Sequence, residues 1–274
     1  MIIGHKNIEK IFKKLAKENK LSHAYIFFGE PQVGKYTFAS ALASLLENNK
    51  FETPTRQLRE CLILKPVNDS IGIEEIRDLK IALYQKPISS RYRMAIIDNA
   101  DALTYQAQNA ILKIAEEPPE HGLLVLISSN TENLLPTLNS RFQKIYFPTV
   151  TESEISILLK ENYSLNAEEA DKISKTSFGR PGRAIALLTD KSLKESESLA
   201  KSYLKNQTNR AKVVAELSSA ENKEKILPFL YSLVTIMSAN VRENYKQIGK
   251  ILRRISLIKE YNTNKRMQLE AALN

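Results

Sequence analysis

An α/β fold, built on a parallel five-stranded sheet with a small helical lid and an all-α C-terminal domain after it, is what the patterning of this chain predicts. Three observations carry the prediction. Short apolar strands alternate with helical stretches up to about residue 150, a glycine-containing turn follows the first strand at Gly29, and the strand pattern stops after Pro148. Fully apolar strands alternating with helices imply a parallel sheet covered on both faces.

The elements follow in order. His23-Ala-Tyr-Ile-Phe-Phe28 reads as a buried strand feeding the Gly29 turn, and Tyr36 to Leu46 continues as a helix. Cys61-Leu-Ile-Leu64 is a second strand, closed by Pro66. Ile73 to Gln85 places apolar residues at 73, 76, 79 and 83, a helical period. Arg93 to Asp98 is a third strand, Thr104 to Glu116 a helix stopped by Pro118-Pro119, Leu123 to Ile127 a fourth strand, and Lys144 to Phe147 a fifth. Beyond Pro148, Thr151 to Glu161 and Ala167 to Thr176 read as short amphipathic helices, with Thr151-Glu-Ser-Glu154 as a helix start. Gly179-Arg-Pro-Gly-Arg183 reads as a turn into another helix; Arg180 and Arg183 could instead sense a nucleotide, and the turn is the simpler reading. From Ala184 onward one glycine, Gly249, and one proline, Pro228, interrupt a helical tail. The domain plan is therefore 1–150, 151–188 and 190–274.

Composition sets the outer bounds. A chain of 274 residues exceeds one small core, and its 43% hydrophobic and 26% charged residues are those of a soluble globular protein. No apolar run reaches membrane-spanning length, and the opening Met-Ile-Ile-Gly-His-Lys is too soon polar for a signal peptide, so a cytoplasmic location is expected. The single cysteine, Cys61, excludes intrachain disulfides and reads as an inert core residue. The formal charge of +9 favours polyanionic partners. Residues 190–274 hold 16 Lys and Arg against 9 Asp and Glu, so +7 of that charge sits in the tail. There, Arg242, Lys246, Lys250 and Arg253 share one helical stripe, with Ile248, Leu252 and Ile255 on another face. Such a stripe is usually a solvated face.

Gly29-Glu-Pro-Gln-Val-Gly-Lys-Tyr36 has the P-loop spacing G-x-x-x-x-G-K. Gly29 and Gly34 would let backbone N–H groups face phosphate oxygens, and Lys35 would reach the β/γ-phosphates. The next position should give Mg²⁺ a hydroxyl, but it is Tyr36, and Thr37 lies one residue late, roughly 100° round the helix. The run Met94-Ala-Ile-Ile97 ends in Asp98-Asn99, where an ATPase would carry Asp-Glu. Asp98 could hold a metal, but Asn99 cannot accept a proton from an attacking water. Asp98 and Asp101 have a plainer reading too, as a polar strand end facing solvent.

These residues carry a resemblance. The chain resembles the δ′ (delta prime) subunits of the bacterial DNA polymerase III clamp loader, members of the AAA+ group. The resemblance rests on Leu21-Ser-His-Ala-Tyr25 before the P-loop, Ser70-Ile-Gly-Ile-Glu-Glu-Ile-Arg77, and Gln108-Asn-Ala-Ile-Leu-Lys-Ile-Ala-Glu-Glu-Pro-Pro119. Ser128-Ser-Asn-Thr-Glu-Asn-Leu-Leu-Pro136, Leu138-Asn-Ser-Arg141 and Asn262-Thr-Asn-Lys-Arg-Met-Gln-Leu-Glu270 follow in the family's order. It is strong over 21–148 and weak over 190–260.

The resemblance implies a P-loop AAA+ domain, a lid and a collar through which 190–274 oligomerises. Some of its apolar residues, among them Ile226, Leu230, Leu233 and Ile236, are then expected to meet partner subunits as well as their own bundle. It implies γ/τ ATPase subunits and δ as partners, with the sliding clamp and primer-template DNA reached through the complex. It also makes the chain part of the DNA polymerase III holoenzyme, a DNA-directed DNA polymerase, without an ATPase activity of its own. The family's Ser-Arg-Cys triplet reads Ser140-Arg141-Phe142, keeping the arginine that in the family reaches a neighbour's γ-phosphate. Arg141 is thus the expected catalytic residue, acting in trans; a surface or intradomain arginine is the plainer alternative. The family's four-cysteine zinc module is replaced by the short link Phe51 to Glu60, which has no ligands, so no zinc is expected. No cofactor is required on this reading, and ATP or ADP held without turnover is the open alternative. Two other functions stay in view: an active clamp-loader ATPase, opposed by Tyr36 and Asn99, and a stand-alone basic DNA-binding protein, opposed by Arg141.

Overall fold

A computed structural model of the chain describes residues 2–205, 207–261 and 264–273. The chain divides into two compact units, one running to Gly182 and the other from Arg183.

The first unit is built on strands β1 (Ala24–Phe28), β2 (Cys61–Leu64), β3 (Arg93–Ile97), β4 (Gly122–Ser128) and β5 (Gln143–Tyr146). All neighbours are parallel, in the order β2-β3-β4-β1-β5. The alternation of side chains across a strand splits the core in two. Ala24 and Ile26, Ala95 and Ile97, and Leu124 and Leu126 face one layer, formed by α3 (Ile73–Tyr84), α4 (Tyr105–Glu116) and α5 (Pro136–Arg141). Tyr25 and Phe27, Met94 and Ile96, and Leu123 and Val125 face the other, formed by α1 (Lys6–Glu18) and α2 (Lys35–Asn48). Strand β4, with a neighbour on each side, is buried along its whole length. On the α1/α2 side, Phe27 meets Phe12, Phe38 and Phe147 at ring separations of 5.6, 5.9 and 5.0 Å. Truncating Phe27 to alanine would cost about 3–5 kcal/mol.

The fifth strand begins one residue earlier than the apolar pattern suggests. Gln143 is exposed but pairs with Tyr25 through its backbone, whereas buried Phe147 lies just past the strand end and bonds Phe28 O through its N–H. Helices α6 (Glu152–Tyr163) and α7 (Ala167–Thr176) complete the unit, and Thr151 with Glu154 forms the expected capping box. Helix α8 (Pro181–Thr189) starts in the first unit and continues into the second.

The second unit contains α9 (Lys191–Lys205), α10 (Gln207–Leu217), α11 (Ile226–Met237), α12 (Val241–Tyr261) and α13 (Lys265–Leu273). Among the described residues beyond 190 there is no strand. Asn262 and Thr263, which open the last family-like motif, lie outside the described residues. Ile226, Leu230 and Leu233 are sealed inside this bundle and offer no outward surface, whereas Ile236 packs against it only partly buried. On α12 the buried positions are Ile251, Ile255 and Ile258, while Leu252, expected on the apolar face, points outward at 46% exposure. Neighbouring helical residues differ by about 100°, which separates 251 from 252. Arg242, Lys246, Lys250 and Arg253 are all exposed. Among the described residues no helix is long and apolar enough to cross a membrane.

Candidate nucleotide site and the Ser140-Arg141 turn

The loop between β1 and α2 has the backbone its glycines allow. Gly29 stands at φ 139°, and a Cβ there would lie 2.3 Å from the Phe147 carbonyl oxygen, so no other residue fits without a shift. Gly34, at φ 105°, caps α2. Lys35 is buried and donates to the carbonyls of Gly29 and Glu30 at 2.5 and 2.8 Å. Burial lowers the pKa of its ammonium, against the opposing attraction of Asp101, Glu30 and Asp98. Thr37 lies on the first turn of α2, one residue past Tyr36.

The rear of the loop is held by two other segments. The His5 imidazole bonds the Val33 carbonyl at 2.9 Å through Nε2 and packs against Phe147 at a ring separation of 4.8 Å. Gly182 donates its N–H to the Gln32 carbonyl at 3.0 Å, and Arg180 lies 4.0 Å from Glu30. Gly179, at φ 71°, makes the turn into α8, and a Cβ on it would come within 2.7 Å of the Thr149 side chain. Gly179-Arg-Pro-Gly-Arg183 is therefore a packed turn. Its two arginines part, Arg180 toward Glu30 and Arg183 donating to the Thr235 hydroxyl at 3.0 Å.

Past the end of β3, Asp98 and Asp101 have different surroundings. Asp101 accepts hydrogen bonds from the Ser128 and Ser129 hydroxyls, both at 2.5 Å, and from the Ser129 N–H at 2.8 Å. It is a fixed link between the ends of β3 and β4. Asp98 is partly exposed and lies 3.8 Å from the Lys65 ammonium, which sits 4.6 Å from the centre of the Tyr36 ring. Asn99 occupies the left-handed region at φ 59°, a conformation asparagine tolerates better than most residues.

A divalent metal does not fit these residues: the hydroxyl position carries a phenol ring, and Asp98 faces an ammonium. Neither Lys65 nor the loop-locking His5 stands out in the sequence, whereas Gly182 belongs to the turn motif read there. Lys65 is visible only once the β2/β3 register is known.

Arg141 ends α5, whose Leu138 packs in the layer of α3 and α4, on the opposite face of the sheet from α2. Gln108, buried in α4, places this helix. Its amide donates to Leu103 O at 3.3 Å and accepts the Leu135 N–H at 2.8 Å, one residue before α5. The Arg141 guanidinium is 39% exposed, donates to Thr137 O at 3.1 Å and lies 2.8 Å from the Glu116 carboxylate. The structure thus gathers Gly29, Gly34 and Lys35 at one loop, brings Tyr36 and Asp98 to either side of Lys65, and puts Arg141 on the other layer.

Residues 4–151 match the family described as "DNA polymerase III, delta subunit", more than half of the chain. The chain belongs to this family. It is a clamp-loader AAA+ protein related to the δ′ and γ/τ subunits of DNA polymerase III. It is 29% identical over 207 residues to DNA polymerase III subunit gamma of Buchnera aphidicola subsp. Acyrthosiphon pisum, covering 68% of this chain and 56% of that one. To DNA polymerase III subunit tau of Bacillus subtilis it is 29% identical over 180 residues, 61% of this chain and 32% of the other. The chain thus spans about half, or less, of the length of these curated relatives. Among solved structures, a DNA polymerase III gamma subunit-related protein of Thermotoga maritima matches with a TM-score of 0.54 at 22% identity, covering 96% of this chain and 97% of that one. The Thermotoga maritima RuvB Holliday junction branch migration motor matches with 0.53 at 18%, covering 99% and 87%. At such identities these structural likenesses speak for the AAA+ fold alone.

Proposed function

We propose that this chain is a mostly non-hydrolysing subunit of the DNA polymerase III clamp-loader complex, of the δ′ kind. It helps place the sliding clamp on primed DNA and supplies Arg141 to ATP held by a neighbouring ATPase subunit. One observation carries the reading. The phosphate loop has a phenol ring where a metal-binding hydroxyl belongs, while an exposed arginine ends a helix on the opposite face of the sheet. Hydrolysis at its own loop needs a metal ligand and a carboxylate base, and positions 36 and 99 provide neither.

The partners on this reading are the γ/τ ATPase subunits and δ, with the clamp and primer-template DNA met through the assembled ring, in the cytoplasm. Helices of 151–188 act as the lid and those of 190–274 as the collar. Since Ile226, Leu230 and Leu233 are buried in their own bundle and Ile236 only partly, the collar would meet its neighbours through Ile236 and other faces. No cofactor is required on this reading; ATP or ADP, if bound, would be held without turnover.

Purifying the untagged chain from its own cells tests the class. It should co-elute with ATPase subunits and δ, and the isolated chain should hydrolyse ATP only at background. Elution alone, or a rate of order 1 s⁻¹ abolished in Lys35→Ala, contradicts the reading.

A further inference from the structure

Strand β2 ends at Leu64, paired with Ile97 of β3, so the next residues, Lys65 and Asp98, leave the sheet side by side. The Asp98 N–H remains bonded to the Leu64 carbonyl at 2.9 Å, which fixes their spacing. Tyr36 stands close by on the first turn of α2. The Lys65 ammonium lies over its ring at 4.6 Å and 3.8 Å from Asp98 Oδ2.

In a metal-using P-loop, the ion is held by the hydroxyl residue after the loop lysine and by an acid at the end of another strand of the sheet. Those two positions are Tyr36 and Asp98, and here an ammonium bridges them. The face of an aromatic ring attracts a soft, partly desolvated cation such as an ammonium. It offers nothing to Mg²⁺, which demands oxygen ligands in near-octahedral geometry. The remaining charges round the loop are committed elsewhere: Asp101 to Ser128 and Ser129, and Glu30 toward Arg180. With Lys65 exposed and Asp98 partly so, the pair is screened by water and contributes little to stability. Their importance is where the positive charge stands.

We propose that Lys65 replaces the divalent metal at this loop, so that the chain binds a nucleoside triphosphate through Lys35 and Lys65 with no divalent cation. The inference rests on reading Gly29 to Tyr36 as a phosphate loop without turnover, and adds the identity of its counter-charge. Two lysines supply a charge of +2 to the phosphates, where one lysine and a divalent metal would supply +3, so the positive charge is smaller but needs no ion from solution. A single ammonium cannot clamp β- and γ-oxygens in fixed geometry as a metal does, so retention without hydrolysis is the outcome.

The test is calorimetric titration of the full chain with ATP, in excess EDTA and in excess magnesium. Wild type should bind with the same affinity in both, within about twofold. Lys65→Ala should lose about tenfold in EDTA and recover part of the loss with magnesium, while Lys65→Arg keeps metal-free binding. Because Lys65 is exposed, neither substitution threatens folding. Wild-type binding that needs magnesium, no binding at all, or Lys65→Ala binding normally in EDTA overturns the proposal. Failure here leaves the non-hydrolysing reading intact, because that reading is tested by ATP turnover and by co-elution with the other subunits, not by metal-free binding.

Discussion

The Arg141 guanidinium rests 2.8 Å from the Glu116 carboxylate, tying the last residue of α5 to the last residue of α4. Both groups are substantially exposed, at 39% and 50%, so salt and water screen the pair. A weakly held arginine can exchange its carboxylate for a phosphate. The contact therefore parks the side chain without locking it.

Glu116→Ala should accordingly leave stability within about 0.5 kcal/mol of wild type. Denaturant unfolding of the isolated chain checks this. A loss several times larger would make the pair structural and Arg141 a poor candidate for action on a neighbour.

A different ion pair should matter for folding. Glu60 is 4% exposed, accepts the Ile88 and Ser89 N–H groups at 2.6 and 3.0 Å, and lies 3.6 Å from Arg93. Burial alone would raise its pKa, but these N–H groups and Arg93 more than offset it, holding the carboxyl below the ordinary glutamate range. A lowered folded-state pKa contributes stability above the unfolded value, lost as pH falls through the folded one. Glu60→Gln should therefore cost about 1–3 kcal/mol at neutral pH, with the difference from wild type narrowing in acid below the glutamate range. Unfolding curves measured against pH would show it. A pH-independent gap would mean that the charge of Glu60 is irrelevant.

Cys61 should be inert. It is 8% exposed, and burial pushes its thiol up to about 12. Against a free thiol this is about a thousandfold less thiolate near neutral pH. Iodoacetamide followed by mass spectrometry should find it unlabelled in the native chain and labelled in denaturant. Equal labelling in both states would contradict the burial.

The parallel sheet was legible because each strand is a short apolar run closed by a turn, and Cys61–Leu64 has the bounds its pattern suggests. The last strand shifted by one residue because backbone pairing, not side-chain polarity, places Gln143. On α12 the period was right and the face slipped, since Ile251 and Leu252 are equally apolar and only packing within the bundle, against α11 and α13, distinguishes them. At the loop, Gly29, Gly34 and Lys35 could be read by spacing because local backbone geometry demands them. Lys65 could not, because its place beside Asp98 arises from the register of two strands about thirty residues apart. Glu116 and Arg141 posed the same difficulty, since their meeting depends on how Gln108 seats α5 against α4.

The central claim is that this chain acts on a neighbour's ATP rather than its own. The most direct measurement is the steady-state ATPase rate of the reconstituted complex carrying either Arg141→Ala or Lys35→Ala in this subunit. An arginine supplied in trans is worth about 10³–10⁵ in rate at the site it serves. With only one site facing this subunit, Arg141→Ala should remove a fraction of the total ATPase and slow clamp loading, while assembly is preserved and Lys35→Ala changes little. The reverse pattern, a loss with Lys35→Ala and none with Arg141→Ala, would show that the chain spends its own ATP.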